Sequence, residues 1–472
     1  MSTPRRAFDP RLLEGSIVRS LFLLAVPIVG ANILQVAYQL VDAFWVGRLG
    51  ADAVAAVSIT MPLMFVLVAA GMGFAIAGTT LIAQYTGARD HAMVDHVAAQ
   101  TLIAITAVAV VLAAVGIALL PWILHAMGVS PTVYRDALSF MRIIFAALPF
   151  TFGYAMVQAL LRGVGEVKIP LYIVAGTVII NFVLDPVLIF GHAGFPALGV
   201  AGAAIATLVA QMIAACAGMV ILFGGRFGIH LDWHHFRPDF AFVKRAFLLG
   251  YPASIEQSTR GLGMLVMTFL VTSFGTVAIA SYGVGTNVVN VVVIPAMGLA
   301  MATTTLVGQN IGAGNIQRAE SVARLAALVT FAALTVAGGL CFFLATPIMR
   351  FFVPEAPGVI AEGARFIRIM AWSFGFVGLQ FALLAVLRAA GEMLPAMATT
   401  LFSQWCLQLP LAWLLSRHLS VDGLWWSLPV ANVAAAVIAA ALFQSGRWKT
   451  RRLAAPTSIA AGQLAVEEEA QM

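Results

Sequence analysis

Long apolar runs, separated by short polar segments, recur along the whole chain. A run of about 20 apolar residues is long enough for a helix to cross the hydrocarbon core of a bilayer. The pattern predicts twelve such spans, at 18–46, 53–85, 95–123, 133–161, 169–191, 198–224, 241–273, 277–309, 320–347, 360–387, 393–416 and 422–446. The expected fold is therefore an all-α integral membrane protein with twelve transmembrane helices.

The second half of the chain repeats the first. Residues 70–90 align without a gap on residues 295–315, and ten of these 21 positions are identical. The same offset of 225 pairs Pro27 with Pro252, and an offset of 226 pairs LRGVGE (161–166) with LRAAGE (387–392). Each copy holds six spans, so both copies have the same orientation and should form two pseudo-symmetric six-helix bundles.

The spans divide the chain into five parts. They are an N-terminal segment (1–17), an N-lobe of six spans (18–224), a polar linker (225–240), a C-lobe of six spans (241–447) and a C-terminal tail (448–472). The tail ends in a run of glutamates, and its composition favours disorder.

Composition and charge agree with this arrangement. The chain is 61% hydrophobic and only 10% charged, too little charge for a soluble protein of this length. With the N-terminus inside, 18 of the 26 Lys and Arg fall in inner segments and seven in outer loops, which predicts cytoplasmic termini. The remaining one, Arg260, lies well inside the seventh span, far from both of its ends. The net charge of +6 gives no indication of nucleic-acid binding, because its sources flank the membrane.

The first span carries a polar stripe. Asn32, Gln35, Gln39 and Asp42 follow at spacings of three, four and three, which place them on one helix face, with Tyr38 at its edge. A polar face on a membrane helix must meet a wet cavity or other protein, and a seam of hydrogen bonds between helices is the alternative. Pro27, one or two turns earlier, removes a backbone hydrogen bond and permits a bend.

The fifth span has a similar polar face. It consists of Thr177, Asn181 and Asp185, which are spaced by four and followed by Pro186. Two carboxylates in one desolvated site resist joint ionisation, so at least one is expected to take up and release a proton. The same oxygen-rich set also suits a small hard cation, and the residues leave H⁺ and Na⁺ open. The repeat partner of Asp42 is Met267, so the acid pair belongs to the first half alone.

A third acid, Glu256, lies in the seventh span beside Gln257 and four residues before Arg260. A carboxylate within the membrane is costly and is a functional candidate by default, but Glu and Arg at this spacing also neutralise each other. Substrate contact and structural pairing both stay open. Tyr154 and Gln158 of the fourth span are further candidates for a substrate cavity, with helix packing as the alternative.

Several classes of protein are not indicated. The chain has no phosphate-binding GxxxxGK[ST] loop, no nucleophile–base set and no metal-ligand spacing. Neither an ATP motor, an enzyme nor a bound cofactor is expected, and any transport must be driven by a gradient.

These motifs resemble those of the multidrug and toxic compound extrusion (MATE) family over about residues 15–447. The matching pieces include LAVPIVGANILQVAYQLVDAFWVGRLG in the first span, GMGFAIAGTTLIAQYTGA in the second, LRGVGE, NFVLDPVLIFG, YPASIEQ and MGLAMATTTLVGQNIGAGN. The Asp of the first span, the LDP of the fifth and the P-x-x-x-E-Q of the seventh are similar to the DinF-like branch.

The resemblance implies a V-shaped pair of bundles in a bacterial inner membrane and efflux of amphipathic, often cationic, organic compounds in exchange for H⁺ or Na⁺. By position, Asp42, Asn181, Asp185 and Thr207 match the family's ion site, with Tyr38 nearby. Pro27 matches the proline at which the first helix is proposed to bend. The expected partners are small organic substrates and the lipid bilayer, with the protein itself a monomer.

Three alternatives stay open. A lipid-linked precursor flippase has similar bundles, but it would favour extra spans and several arginines in the cavity. A major-facilitator carrier also has twelve spans in two parallel halves, but its basic loop signature is not convincing in TGARDHAMVDH. A channel or passive receptor would show neither saturation nor counter-flow.

Overall fold

A computed structural model describes residues 10–192 and 194–453, and within them the chain is helical, without a β-strand. The helices are α1 (Arg11–Glu14), α2 (Ile17–Gly47), α3 (Ala51–Gly87), α4 (His91–Ala126), α5 (Pro131–Gly163), α6 (Lys168–Phe190), α7 (Val200–Phe223), α8 (Phe240–Thr272), α9 (Thr276–Gly312), α10 (Ile316–Phe352), α11 (Pro357–Ala371), α12 (Phe374–Ala389), α13 (Met393–Leu401), α14 (Leu409–Leu419) and α15 (Val421–Gln444). A π-helical segment, Phe402–Gln408, joins α13 to α14, and 3₁₀ turns lie at Trp233–Phe236 and Arg447–Lys449.

These helices follow the predicted spans. Helices α2 to α10 correspond to the first nine, α11 with α12 to the tenth, α13 to α14 to the eleventh and α15 to the twelfth. Of the described helices, nine are long and apolar enough to cross a membrane alone, and α11 and α12 qualify together. Helix α8 falls short because Lys244, Arg245, Glu256 and Arg260 lower its hydropathy. The prediction of an all-α membrane protein is confirmed.

The tenth span is not the single helix that its apolar pattern predicts. Helices α11 and α12 meet at an angle of 50°. At the break, the Ser373 hydroxyl donates to the Met370 carbonyl at 2.9 Å and accepts from the Asn432 amide at 3.2 Å. A serine that bonds a nearby carbonyl competes with the helical hydrogen-bond ladder, which explains why the helix turns at this residue.

The chain forms two compact units. Unit 1 comprises Gly30–Ser254, and unit 2 comprises Pro10–Val29 together with the chain from Ile255 onward. The division therefore falls inside helices α2 and α8, in each case two residues after the proline of the repeat. The predicted lobes, 18–224 and 241–447, divide the chain between helices instead.

Helix α5 lies at the centre of unit 1, where it packs against α3, α4 and α7. Small residues allow this close packing. A Cβ at Gly71 would lie 2.7 Å from the Phe152 ring, and one at Gly78 would lie 2.7 Å from the Met156 sulfur. Gly71 and Gly78 therefore leave room for close approach of α3 and α5, as small residues commonly do in membrane helix packing.

The core of unit 2 is aromatic. The rings of Tyr282 and Trp425 stack with centroids 5.8 Å apart, and Phe366 meets Trp425 edge-on at 4.9 Å. All three side chains are buried, and the Trp425 indole donates to Glu362 at 2.7 Å. This cluster holds α9, α11 and α15 together and fixes one wall of the unit.

Equivalent helix crossings occur in both units. In unit 1, Gly73 of α3 faces Ser254 of α8 so closely that a Cβ at Gly73 would contact the Ser254 backbone. In unit 2, the repeat partner Gly298 faces Val29 in the same way. Val29 and Ser254 are themselves 225 residues apart. The duplication seen in the sequence is therefore also a duplication of contacts.

The polar linker is fixed to α4. The Gln100 side chain donates to the carbonyls of His235 and Arg237 at 2.9 and 2.7 Å, and its carbonyl accepts from the Asp239 amide at 2.9 Å. Asp95 accepts from the His230 amide at 2.7 Å. The linker is thus an ordered strap on unit 1.

The first residues of the predicted disordered tail are packed against unit 2. Trp448 is fully buried, and Lys449 and Arg451 pair with Glu320 and Glu392 at 2.7 and 2.9 Å. Residues 454–472, to which the rest of that prediction applies, lie outside the described residues, as do residues 1–9 of the N-terminal segment.

Candidate functional site

Helices α2 and α6 bring Asp42 and Asp185 together in unit 1. The Asn181 amide donates to Asp185 Oδ1 at 3.1 Å, and the Asp42 carboxyl is a near neighbour of both Asp185 and Asn181. Asn181 and Asp185 are fully buried, while Asp42 is half-buried. Three residues singled out from their spacing, 143 positions apart at the extremes, therefore form one cluster.

This cluster has acceptor atoms to spare. Asp42 Oδ1, Asp185 Oδ2 and Asn181 Oδ1 are buried and have no hydrogen-bond partner among the described residues. A hydrogen bond between two carboxyl groups requires a proton on one of them, because ionised carboxylates only accept. Buried acceptors without a donor are costly, so the arrangement favours binding of a proton or a small cation.

Tyr38 and Thr207 form a second layer beside the carboxyls. The Tyr38 hydroxyl, buried on α2, donates to Thr207 Oγ1 on α7 at 3.2 Å. Tyr38 is also close enough to Asp42 and Asp185 to interact with them electrostatically. Thr177 lies one turn before Asn181, but its hydroxyl donates to the Val174 carbonyl of its own helix at 2.7 Å. The polar cluster therefore contains residues of α2, α6 and α7.

The rest of the polar stripe on α2 is more open. Gln35 and Gln39 are exposed, and Asn32 is half-buried, with an amide nitrogen that has no partner among the described residues. Pro27 lies inside α2, which continues through it as one helix. The hinge assigned to Pro27 stays a prediction.

The two candidates on α5 lie in different surroundings. Tyr154 is buried in an apolar cluster with Val174 and Ala214, and its hydroxyl has no partner in the part of the chain that is described. Gln158 is half-buried and accepts from Arg162 at 3.4 Å. Tyr154 is thus enclosed in unit 1 and does not line an open surface.

Unit 2 holds a separate ionic cluster around Glu256. Its Oε1 accepts from Arg260 at 3.2 Å, from Thr400 at 3.1 Å and from Arg388. The Glu256 side chain is only 1% exposed, and Gln257 beside it is half-buried. The pairing of Glu256 with Arg260, expected from their spacing, is therefore present.

Arg388 is a site residue that the sequence analysis missed. It was counted as an inner-loop charge, but it lies inside α12 with a side chain only 9% exposed. The repeat contains the signal that was overlooked, because LRAAGE aligns Arg388 with Arg162, and Arg162 is itself bonded to a polar side chain of its unit. An arginine kept at the same place in both copies indicates a position inside the bundle.

Comparison with known proteins gives consistent matches. The family model MatE matches residues 27–187 and 252–414, two segments that begin at the repeated prolines. The probable multidrug resistance protein YoeA of Bacillus subtilis is 32% identical over 93% of this chain and 96% of its own length. YpnP of the same organism, also named a probable multidrug resistance protein, is 27% identical over 95% of this chain and 99% of its own length. The crystal structure of a MATE protein in complex with MaL6 superposes with a TM-score of 0.87 at 22% identity, covering 93% of this chain and 98% of that chain.

Proposed function

Since this chain belongs to the MatE family of multi-pass membrane transporters, we propose that it is a secondary active antiporter. It exports amphipathic, often cationic, organic compounds from the cell in exchange for H⁺. It lies in a bacterial inner membrane with both termini in the cytoplasm. The relatives named multidrug resistance proteins support the efflux role, and a transporter family supports the expectation that the chain is not an enzyme. The resemblance of the sequence to the DinF-like branch supports a coupling site in unit 1.

The observation that carries the proposal is the facing pair Asp42 and Asp185. Two carboxyls in mutual contact, with unused acceptor atoms, hold one proton more readily than two negative charges. Release of that proton leaves a negative site that attracts an organic cation, and its return displaces the cation. Proton and organic cation thus exclude each other from the site, and this mutual exclusion is the requirement for antiport.

Coupling further needs a conformational response. Protonation of Asp42 changes its interaction with the neighbouring Asp185 and Asn181 on α6, and so changes how α2 is held against that helix. Pro27 lowers the cost of bending α2, because it lacks the backbone N–H of a regular helix turn. A bound ligand can shift such an equilibrium only by its differential affinity for the two states, so proton and drug must favour different arrangements of α2.

The test is ethidium transport in proteoliposomes under an imposed proton or sodium gradient. We expect the proton gradient to drive transport in the wild type, and expect Asp42→Asn and Asp185→Asn to abolish it. Asp52→Asn, which removes an exposed carboxylate from the first turn of α3, should transport normally. Transport driven only by sodium would keep the site and change the ion.

Two results would contradict the proposal. One is the absence of gradient-driven transport in the wild type under both gradients. The other is an Asp42→Asn variant that transports ethidium under the proton gradient as well as the wild type does, since the carboxyl pair would then not carry the coupling proton.

A further inference from the structure

Unit 2 contains more positive than negative charge around its buried acid. The Glu256 carboxylate already receives a charged hydrogen bond from Arg388 and a neutral one from Thr400. Arg260 donates to the same oxygen at 3.2 Å. One arginine is sufficient to neutralise one carboxylate, so the charge of the second is in excess of what the pair requires. Desolvation of an extra charge is costly, and helix packing alone gives no reason for it.

The excess arginine is also the accessible one. The Arg260 side chain is 29% exposed, against 9% for Arg388 and 1% for Glu256. Its Nε is buried and has no hydrogen-bond partner among the described residues. A guanidinium carries five N–H donors in a rigid fork that matches carboxylate and phosphate groups. Arg260 is therefore held at one end by Glu256 and keeps donors for another acceptor.

The backbone of α8 at Arg260 is held by a neighbouring segment. The Gln404 amide donates to the Arg260 carbonyl at 3.2 Å from the π-helical segment Phe402–Gln408. π-Helical turns are rare and occur frequently at functional sites. Gly263 leaves room for the Gln404 side chain, because a Cβ at position 263 would contact the Gln404 amide. The Phe381 ring lies 5.3 Å from the guanidinium carbon and offers an aromatic surface beside it.

The internal repeat shows that this site is specific to unit 2. The unit 1 positions that correspond to Glu256 and Arg260 are Ala31 and Gln35. Unit 1 thus has an acid pair without a counterpart in unit 2, and unit 2 has a cationic site without a counterpart in unit 1. Neither the acid pair nor the cationic site is a requirement of the common scaffold, because each unit folds without the site that the other one carries.

We propose that Arg260 binds the anionic group of an aromatic organic molecule, a carboxylate, sulfonate or phosphate, with Phe381 against its ring. The inference rests on the proposed function and deepens it: compounds that carry an acidic group belong to the substrates, beside purely cationic ones. A dissolved anion and an anionic lipid headgroup share this chemistry, and the experiment separates them.

The test is equilibrium binding of two fluorescent probes, the anion fluorescein and the cation ethidium, to the full-length protein in phosphatidylcholine nanodiscs. Arg260→Gln is expected to weaken fluorescein binding about tenfold or more, because charged hydrogen bonds are lost, and to leave ethidium binding unchanged. Arg350→Gln, which removes an exposed arginine of α10, should change neither. Nanodiscs that contain phosphatidylglycerol should lower fluorescein binding in an Arg260-dependent way only if the headgroup is also a ligand.

Equal fluorescein affinity in wild type and Arg260→Gln overturns the inference, as does a wild type that binds ethidium but not fluorescein. If the glutamine variant does not fold, Arg260→Lys replaces it. Lysine keeps the charge but lacks the planar fork, so fluorescein binding should weaken relative to ethidium binding, and an unchanged ratio overturns the proposal. These assays need no gradient, so a failure of proton-driven transport would refute the antiporter and leave the binding result standing.

Discussion

Removal of the Glu256 carboxylate should destabilise unit 2 strongly. In Glu256→Gln the side chain keeps its size and a carbonyl oxygen, but the buried Arg388 loses its negative partner. Arg260, which is partly exposed, can turn toward water and compensate. The effect of the substitution is therefore carried by Arg388 and is an effect on folding stability before it is one on transport.

The burial of the two partners decides the magnitude. Neutral hydrogen bonds between membrane helices contribute only about 0.6 kcal/mol on average. Glu256 and Arg388, however, are charged, and their side chains are 1% and 9% exposed, so the appropriate comparison is a buried ion pair with one partner removed. That change costs about 3–5 kcal/mol in the free energy of unfolding. We expect about 3 kcal/mol for Glu256→Gln, which is roughly a hundredfold in the unfolding equilibrium.

The assay is equilibrium unfolding of the purified protein in mixed micelles, with a double-mutant cycle. Glu256→Gln and Arg388→Gln should each be strongly destabilised, whereas the double variant should lose clearly less than the sum of the two. Arg260→Gln serves as the control and should cost less than about 1 kcal/mol, as partly exposed pairs do. Additive single effects, or a Glu256→Gln variant within about 1 kcal/mol of the wild type, would refute the assignment of a buried ion pair.

Two further predictions concern unit 1. Gly73→Ala should lower the free energy of unfolding by about 1–3 kcal/mol, because the new Cβ would meet the Ser254 backbone. The control Gly153→Ala, with open space at its Cβ, should leave the melting temperature unchanged or raise it. Equal melting temperatures of the two variants would contradict the tight crossing. The backbone amide of Phe242, which donates to Asp239 Oδ1 at 3.0 Å, holds the pKa of that carboxyl below its ordinary value. This cap at the start of α8 should therefore be present above the ordinary Asp pKa and be lost as the pH falls through the lowered one. Hydrogen exchange of the Phe242 amide, corrected for the intrinsic rate, should accelerate in acid and should already be fast near neutral pH in Asp239→Ala; a pH-independent rate would show that this carboxylate does not cap the helix.

Part of the Asp42–Asn181–Asp185 cluster was predictable from spacing because helix periodicity is a local property. Polar residues three or four apart must share a face whatever surrounds the helix, which placed Asp42 on one stripe and Asn181 with Asp185 on another. That the two stripes meet came from the resemblance to a family, since periodicity within one helix contains no information about its neighbours. Thr207 likewise was named only by resemblance, and its contact with Tyr38 joins residues 169 positions apart.

The tertiary structure alone decided which charged side chains form ion pairs and where helices break. Arg388 lies at the end of an apolar run, and only the packing of α12 against α8 makes it a buried partner of Glu256. The bend at Ser373 depends on a hydrogen bond from its hydroxyl to the Met370 carbonyl, which competes with the backbone hydrogen bonds of the helix. Hydropathy contains no information about this competition. The sequence by itself determined the membrane fold, the duplication and the faces of single helices, because these follow from composition, internal similarity and period. The pairing of faces depends on long-range packing, in which side chains far apart in the chain satisfy each other's charge and hydrogen bonds.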